Sequence, residues 1–212
     1  MEPEPTHLVY VVDDDAAARE SLRFLLESVG LTVLDFGTPR AFLEFRRPTV
    51  PSCLVLDVRM PEMTGIELLE VLRQGGSTMP VVMFTAFGDV PTTVRAFKAG
   101  AVDLVEKPSS GTQIIEAVQS GLRADEARRS AAHARQELLD RVGTLSSRER
   151  QVLVLLVRGS PNKVIAAELG ISVKTVEIHR ARVMEKMQAS SLAELVRLAL
   201  LVGEKAILPP PP

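Results

Sequence analysis

The chain has 212 residues, of which 46% are hydrophobic and 25% are charged, a balance that excludes disordered and fibrous proteins. A single cysteine, Cys53, excludes an internal disulfide framework, and arginines interrupt the longest apolar runs, which excludes a membrane-spanning helix. The net charge of −2 is uneven, because residues 1–125 carry 18 acidic and 11 basic side chains whereas residues 144–212 carry 6 and 10. The acidic, proline-punctuated start of the chain is unlike a signal peptide, so we expect a cytoplasmic protein of two domains.

Residues 8–125 alternate short apolar runs with amphipathic segments. The apolar runs predict strands at residues 8–12, 31–36, 53–56, 81–85 and 102–106. The amphipathic segments predict helices at residues 15–29, 38–45, 64–73 and 90–99 and from about residue 111. Successive βα units of this kind predict a doubly wound parallel α/β sheet, with Cys53 as a small core residue of the third strand.

Charged and hydroxyl side chains lie where four of these strands end. Asp13 and Asp14 follow the first strand, Asp57 follows the third, Thr85 ends the fourth and Lys107 follows the fifth. Because ligands collect beyond the carboxyl ends of parallel strands, we expect these residues to form a phosphate-accepting site. Crowded carboxylates resist joint ionisation, so we also expect a cation there, Mg²⁺. Taken singly, each residue could instead be a helix cap, a solvated loop residue or an ordinary strand residue.

Five segments around these positions carry a family resemblance: VYVVDDD at 9–15, LVLDVRMPEMTG at 54–65, FTAFGD at 84–89, KAGAVD at 98–103 and EKP at 106–108. They resemble the receiver domain of two-component response regulators, which implies a flavodoxin-like five-stranded fold for residues 1–125. By this resemblance Asp57 accepts a phosphoryl group from a sensor histidine kinase, Lys107 pairs with that group and Thr85 turns its hydroxyl toward it. The resemblance also implies a set of Mg²⁺ ligands: Asp13, Asp14, Asp57 and the backbone carbonyl of Arg59.

One position departs from the receiver pattern. Receivers place a tyrosine or phenylalanine three residues before the lysine, and its ring turns inward when the threonine moves, whereas this chain has Leu104. Thr85 and Leu104 are therefore the expected switch residues. The movement of Thr85 remains possible, but the usual rotation of an aromatic ring is in question because position 104 holds leucine. Phe87 and Arg59 are expected to flank the phosphoryl group and to restrict attacking water.

Two regions are candidates for association between two copies of the chain. A symmetric homodimer on phosphorylation is expected through the fourth helix, fifth strand and fifth helix, where Arg95 or Lys98 could pair with Asp103. Residues 112–140 contain no proline, so the last receiver helix is expected to continue through a helical linker at residues 126–143. Its alanine-rich stripe fits either a solvated spacer or a weak dimer-supporting helix.

The basic segment at residues 144–204 is predicted to be all helical, with four helices at residues 146–158, 162–169, 172–187 and 192–202. Gly170 permits a sharp turn and Ser172 is a good N-cap, so the second and third of these helices form a predicted helix-turn-helix. Residues 205–212 are predicted to be a proline-rich tail, of which residues 209–212 adopt polyproline II conformation.

The third of these helices has one apolar and one polar face. Val176, Val183 and Met187 recur at core spacing, with His179 as a packing residue at their edge. On the opposite face, four side chains could read bases in a major groove: Lys174, Glu177, Ile178 and Ala181. Six others are better placed for phosphates: Asn162, Lys163, Thr175, Arg180, Arg182 and Lys186. Each could instead be an ordinary solvated helix residue.

Three segments of this domain carry a second resemblance: LSSRERQVL at 145–153, PNKVIA at 161–166 and TVEIHR at 175–180. They resemble LuxR-type DNA-binding domains, and the whole chain is similar to FixJ-like members of the NarL/FixJ response regulators. This implies a transcription regulator that binds double-stranded promoter DNA, dimerises on phosphorylation and contacts RNA polymerase. No membrane association is expected, and no enzyme activity beyond phosphorylation and dephosphorylation of the chain itself.

Two alternative functions remain open at this point. A regulator that works without phosphorylation is suggested by Leu104. A phosphatase of the haloacid-dehalogenase type would use Asp13 as the nucleophile and Asp15 as the general acid. The phosphatase hypothesis leaves the predicted recognition helix unexplained, and Ala17 replaces the hydroxyl or branched residue expected there.

Overall fold

The computed structural model describes residues 6–86 and 88–208. The chain divides into two compact units, Met1–Arg129 and Ser130–Pro212. The expectations for Phe87, for the start of the chain at residues 1–5 and for the polyproline segment at 209–212 lie outside the described residues.

The first unit alternates strands and helices. The strands are β1 (Leu8–Val12), β2 (Thr32–Phe36), β3 (Ser52–Leu56), β4 (Val81–Thr85) and β5 (Asp103–Glu106). The helices are α1 (Ala16–Ser28), α2 (Pro39–Glu44), α3 (Gly65–Gln74), α4 (Val90–Ala99) and α5 (Gly111–Gly143). All of these elements were predicted, and their ends differ from the predicted ends by no more than one residue except at the end of α5, which the sequence left open.

The strands form one parallel sheet in the order β2-β1-β3-β4-β5. This order confirms the predicted doubly wound, flavodoxin-like fold. Side chains of β1 and β3 alternate between two cores: Tyr10 and Leu54 pack toward α2, α3 and α4, whereas Val11 and Cys53 pack toward α1 and α5. Both faces of the sheet are buried, which is why these strands are apolar throughout. Cys53 is the buried core residue that the sequence predicted.

Helix α5 is 33 residues long and includes the whole predicted linker, residues 126–143. Its first part contributes Ile114, Val118 and Leu122 to the core of the first unit. Its last turns contribute Leu138 and Val142 to the core of the second unit. The segment predicted as a linker therefore supplies core residues to the second unit as well.

The second unit is helical. After the end of α5 come α6 (Ser147–Val157), α7 (Asn162–Leu169), α8 (Val173–Lys186), α9 (Leu192–Val202) and α10 (Glu204–Ile207). Serine side chains cap three of these helices, because Ser146, Ser172 and Ser191 each accept a hydrogen bond from the backbone N–H three residues later. These caps explain why the starts of α6, α8 and α9 are readable from the sequence.

The helix α10 corrects the predicted start of the proline-rich tail at residue 205. Ile207 is 2% exposed and belongs to the core of the second unit. Arg150 Nη1 donates a hydrogen bond to the Ala206 carbonyl at 3.1 Å. Burial of one isoleucine and this hydrogen bond hold a short helix that has too few residues for a recognisable sequence period.

None of the helices within residues 6–86 and 88–208 is both long and apolar enough to cross a membrane.

Candidate functional site

Two buried carboxylates lie at the carboxyl ends of neighbouring strands. Asp13 directly follows β1 and is 4% exposed, and Asp57 directly follows β3 and is 8% exposed. The register of the two strands pairs Val12 with Leu56, and the Asp57 backbone N–H donates to the Val12 carbonyl at 2.9 Å. Strand pairing therefore brings together two acidic residues that are far apart in the sequence.

Lys107 joins these carboxylates. Its Nζ lies 2.5 Å from Asp13 Oδ2 and 3.0 Å from Asp57 Oδ1. The Lys107 backbone N–H donates to the Thr85 carbonyl at 2.8 Å, which positions the lysine beside the end of β4. Its Nζ also lies 5.1 Å from the centroid of the Phe84 ring, a cation–π contact. One ammonium group therefore forms ion pairs with two carboxylates at the carboxyl edge of the sheet.

The charges of this site perturb each other. Burial raises the pKa of Asp57, Asp13 adds to that rise, and hydrogen bonds from Lys107 and the Arg59 N–H oppose it. Burial alone would lower the pKa of Lys107, but its hydrogen bonds to Asp13 and Asp57 outweigh burial and raise that pKa. Lys107 is therefore held as a cation, and the site as a whole is short of positive charge for two ionised acids.

Backbone groups fix the two carboxylates. The Arg59 N–H donates to Asp57 Oδ2 at 2.7 Å, and the Asp15 N–H donates to Asp13 Oδ1 at 2.9 Å. Asp15 in turn caps α1, because its side chain accepts from the N–H groups of Ala17 and Ala18. Both Asp13 oxygens and the Asp15 carboxylate are thus engaged, which gives no support to a phosphatase with Asp13 as nucleophile and Asp15 as acid.

The remaining predicted site residues lie nearby in different environments. Thr85 is fully buried, whereas Asp14 and Arg59 are exposed. Leu104 is half-buried, pairs with Met83 across β4 and β5, and packs against the core where receivers carry an aromatic ring. The structure thus brings Asp13, Asp57 and Lys107 into contact and leaves the Asp14 side chain in solvent.

The donor set at this edge suits a hard divalent cation. Asp13 and Asp57 offer carboxylate oxygens, the ligands that Mg²⁺ prefers, and they already share one cationic group. Among residues 6–86 and 88–208, no group of three acidic, histidine or cysteine side chains is arranged to hold a metal ion. A Mg²⁺ ion at Asp13 and Asp57 would therefore need further oxygen ligands from the backbone, from water or from Asp14.

A second candidate site is the helix-turn-helix formed by α7 and α8. Gly170 has φ +64°, the left-handed conformation that ends α7, and Ser172 then caps α8. Val176, Val183 and Met187 are fully buried, as their spacing predicted. The opposite face of α8 is exposed and carries the predicted base-reading residues and one predicted phosphate contact: Lys174, Glu177, Ile178, Ala181 and Arg182.

The other predicted phosphate contacts differ in their exposure and in the contacts that they make within the unit. Lys163 is exposed at the start of α7. Arg180 Nη1 lies 3.4 Å from Asn162 Oδ1, and the Thr175 hydroxyl lies 2.8 Å from that of Ser172. Asn162, Thr175 and Arg180 are half-buried. His179 is half-buried, and its Nδ1 is buried without a hydrogen-bond partner among the described residues.

Lys186 is the exception, and the structure corrects its predicted role as a phosphate contact. Its Nζ lies 2.7 Å from Glu149 Oε2 and 3.0 Å from the Thr144 carbonyl. Glu149 is 3% exposed and also caps α6 by accepting from the Ser146 N–H. The ammonium group therefore neutralises a buried carboxylate inside the second unit. The sequence of α8 alone does not show whether Lys186 contacts a phosphate or a buried acid, because its partner Glu149 lies on a different helix, α6.

We expect Glu149→Gln to destabilise the second unit by about 1–2 kcal/mol at neutral pH, because it weakens a helix cap and leaves Lys186 without its acid. Burial alone would raise the pKa of Glu149, but the Lys186 ammonium and Ser146 lower it from 4.5 to about 2. The stabilisation is therefore complete above the unfolded pKa of 4.5 and is lost as the pH falls toward 2. Thermal unfolding from pH 7 to pH 3 should show the two proteins converging. The exposed Glu168→Gln should match wild type, and a pH-independent gap would contradict the assignment.

The three candidate dimer residues are also exposed. Arg95 and Lys98 lie on α4 and line a groove with Glu70 and Arg73 of α3. Asp103 begins β5 and is exposed. They are therefore accessible for the ion pairs that the sequence predicted.

Two known families match this architecture. The family described as "Response regulator receiver domain" matches residues 9–119, and the family described as "Bacterial regulatory proteins, luxR family" matches residues 143–199. The chain is 51% identical over 195 residues to the transcriptional regulatory protein FixJ of Azorhizobium caulinodans, with 92% of each chain covered. It is a two-component response regulator of the NarL/FixJ family. This regulator has a receiver domain and a LuxR-type DNA-binding domain, and it controls transcription.

Solved structures agree with this assignment. The regulator is similar to the response regulator StyR, with a TM-score of 0.83, 47% identity, and 91% of this chain and 98% of that one covered. It is also similar to full-length FixJ from B. japonicum, with a TM-score of 0.58, 46% identity and coverage of 92% and 96%. A receiver domain implies a sensor kinase as partner, and a LuxR-type domain implies DNA.

One buried carboxylate of the receiver unit, Asp125, was not predicted from the sequence. Asp125 is fully buried in α5 and accepts from the Ser52 backbone N–H at 3.0 Å, from Arg129 Nε at 2.6 Å and from Arg128. Burial alone would raise the pKa of Asp125, but these hydrogen bonds lower it. The signal in the sequence is an acid followed by arginines three and four residues later on a helix. That signal is indistinguishable from a solvated ion pair until the partner strand is known.

Proposed function

We propose that the regulator accepts a phosphoryl group on Asp57 from a sensor histidine kinase. The observation that carries this proposal is the contact of one ammonium, Lys107 Nζ, with both Asp57 and Asp13. An Asp57 oxygen would form the new bond to phosphorus while the bond from phosphorus to the kinase imidazole nitrogen breaks, and the imidazole takes up a proton. Such a transfer needs little beyond positioning and neutralisation of charge, which Lys107 provides.

A Mg²⁺ ion would be held by Asp13 and Asp57, with Asp14 and the Arg59 carbonyl as further ligands. When bound, it supplies positive charge for the phosphoryl oxygens. The rise in the pKa of Asp57 supports this proposal, because burial and the Asp13 charge leave the site in need of a further cation.

Phosphorylation adds up to about two negative charges and three acceptor oxygens at Asp57. Lys107 and the buried Thr85 hydroxyl are the switch groups that would respond. Leu104 has no ring to rotate, so we propose that the response is carried by Thr85 and by repacking of Leu104 beside Met83. The phosphorylated receiver would then dimerise through α4, β5 and α5, with Arg95, Lys98 and Asp103 at the interface, and present paired DNA-binding units to promoter DNA and RNA polymerase.

We expect Asp57→Asn to abolish phosphorylation, because the amide is not a nucleophile for phosphorus. Wild type and Asp57→Asn are incubated with Mg²⁺ and a small-molecule phosphodonor. Phosphorylation is followed by intact mass, association by sedimentation and DNA affinity by titration. Wild type should gain one phosphoryl group, dimerise and bind DNA more tightly, whereas the variant should do none of these.

The exposed Glu27→Gln, on α1, serves as the matched control and should behave as wild type. A phosphoryl group on Asp57→Asn would refute the assignment of the acceptor. Steady hydrolysis of a phosphomonoester would instead favour the phosphatase function.

A second candidate function is regulation without phosphorylation, which the leucine at position 104 favours. This function predicts that the DNA affinity and the oligomeric mass are the same for wild type and Asp57→Asn, with or without the phosphodonor. That result would leave the DNA-binding function intact and remove the phospho-switch.

We also propose that Lys163 contacts DNA phosphates and that Glu177 reads bases, since both side chains are exposed on the helix-turn-helix. Lys163→Ala should weaken binding to all sequences alike and reduce the slope of log affinity against log salt by about one. Glu177→Ala should change sequence preference, because a carboxylate accepts from the amino group of cytosine. Binding to a library of sites at several salt concentrations separates the two effects. Lys205→Ala, on α10, is the control, and the reverse pattern would reject these roles.

A further inference from the structure

A basic cavity lies at the amino-terminal edge of the receiver sheet, opposite the edge that carries Asp13 and Asp57. Its volume is about 320 Å³. It is bordered by the loop before β3, by the loop before β4 and by α5, all within the first unit. Among the described residues that line it there are three arginines and no acid. The proposed phosphorylation chemistry uses none of these groups.

The three guanidinium groups are held in place by neighbouring contacts. The buried Asp125 accepts from both Arg128 and Arg129. Arg47 Nη1 donates to the Phe42 carbonyl at 3.3 Å, and its guanidinium carbon lies 4.8 Å from the centroid of the Phe42 ring. Three cations therefore face the cavity with one carboxylate behind two of them, which leaves an excess of positive charge in a preorganised arrangement.

Tyr10 borders this cavity beneath its surface. Tyr10 is 0% exposed, so its hydroxyl is not open to a bound ligand. Burial raises the pKa of Tyr10, and a hydrogen bond with the Ser52 side chain and the charges of Arg47 and Arg129 oppose that rise. The Tyr10 ring therefore senses the charge of the cavity without supplying a contact to the ligand.

We propose that this cavity binds a small phosphorylated metabolite. Guanidinium groups pair with phosphate oxygens through two parallel hydrogen bonds. Ser77 and Thr78 line the same cavity and add hydroxyl groups. The volume lies in the range of small-molecule sites. Because Arg128 and Arg129 belong to α5, the ligand would contact both that helix and the loops at this edge of the sheet.

The chain offers a local probe, because it contains one tyrosine and no tryptophan. Full-length protein in metal-free buffer is titrated with inorganic phosphate, pyrophosphate and adenosine 5′-monophosphate at constant ionic strength, and Tyr10 fluorescence is recorded. Tyr10 belongs to the first unit, so its fluorescence reports on that unit. We expect a saturable change with at least one probe in the millimolar range or tighter. A flat or non-saturating signal with all three would overturn the proposal.

Two variants make the test specific. Arg47→Gln should weaken the binding about tenfold or more, because a charge-assisted hydrogen bond is lost, whereas the adjacent, exposed Arg46→Gln should bind as wild type does. Thr78→Ala removes an exposed hydroxyl of the lining, so it should fold normally and bind the probe several-fold more weakly. Equal weakening by Arg46→Gln and Arg47→Gln, or full affinity in both Arg47→Gln and Thr78→Ala, would refute the site.

Discussion

Gly65→Ala is expected to destabilise the receiver unit by about 3 kcal/mol or more, because its methyl group would overlap the backbone of the phosphoacceptor strand. A Cβ at this position would lie 2.0 Å from the Asp57 carbonyl oxygen and 3.0 Å from Leu56 Cγ. The Gly65 N–H also donates to the Val58 carbonyl at 2.9 Å, so the chain cannot move away without losing that bond. Urea unfolding followed by far-ultraviolet circular dichroism measures the loss.

The cause of this close approach lies in how α3 begins. Thr64 and Glu67 form a capping box in which each side chain accepts from the backbone of the other residue. The box fixes the first turn of α3 directly against the loop that carries Asp57. Gly75→Ala, at the other end of α3, is the control: its Cβ would lie 3.4 Å from the Val71 carbonyl oxygen, an ordinary contact. Equal stability of the two alanine variants would mean that α3 can shift away from Asp57.

The receiver fold could be predicted because both faces of its sheet are covered. The central strands β1 and β3 are then short apolar runs, and a covering helix such as α1 shows a regular apolar face. Parallel strands end at the same edge, so Asp13, Asp57 and Lys107 could be expected to meet. The sequence could not show that Lys107 forms ion pairs with both Asp13 and Asp57, or that the Asp14 side chain is exposed. Those details depend on side-chain geometry within the loops after the strands.

In the second unit, helical spacing correctly separated the buried face of α8 from its exposed face. The same spacing could not identify the partner of Lys186, because Glu149 lies 37 residues away on α6. A lysine near the recognition face has the same pattern whether it meets a phosphate or a buried acid. Asp125 was missed for a similar reason, since its strand partner Ser52 is distant in the sequence.

Lys107→Met is the second substitution with a large expected effect. Lys107 is 21% exposed at its side chain, and the acids that it contacts are 6% and 9% exposed. Removing the ammonium leaves two buried carboxylates side by side without their shared cation. Loss of one partner from a largely buried charge cluster costs about 3 kcal/mol, and methionine cannot recover it although it keeps most of the volume. Thermal and urea unfolding in metal-free buffer should show the loss.

A double variant decides whether this loss comes from charge or from packing. Asp57→Asn alone should be neutral or slightly stabilising, because burial already disfavours the charge of Asp57 and the amide keeps an acceptor for Lys107. Lys107→Met combined with Asp57→Asn should recover most of the stability, since only the Asp13 charge then remains. Added Mg²⁺ should stabilise Lys107→Met more than it stabilises the double variant, because the single variant keeps both carboxylates. Additive losses in the double variant would show that Lys107 stabilises the receiver by packing, and that its ammonium is not what holds Asp13 and Asp57 together.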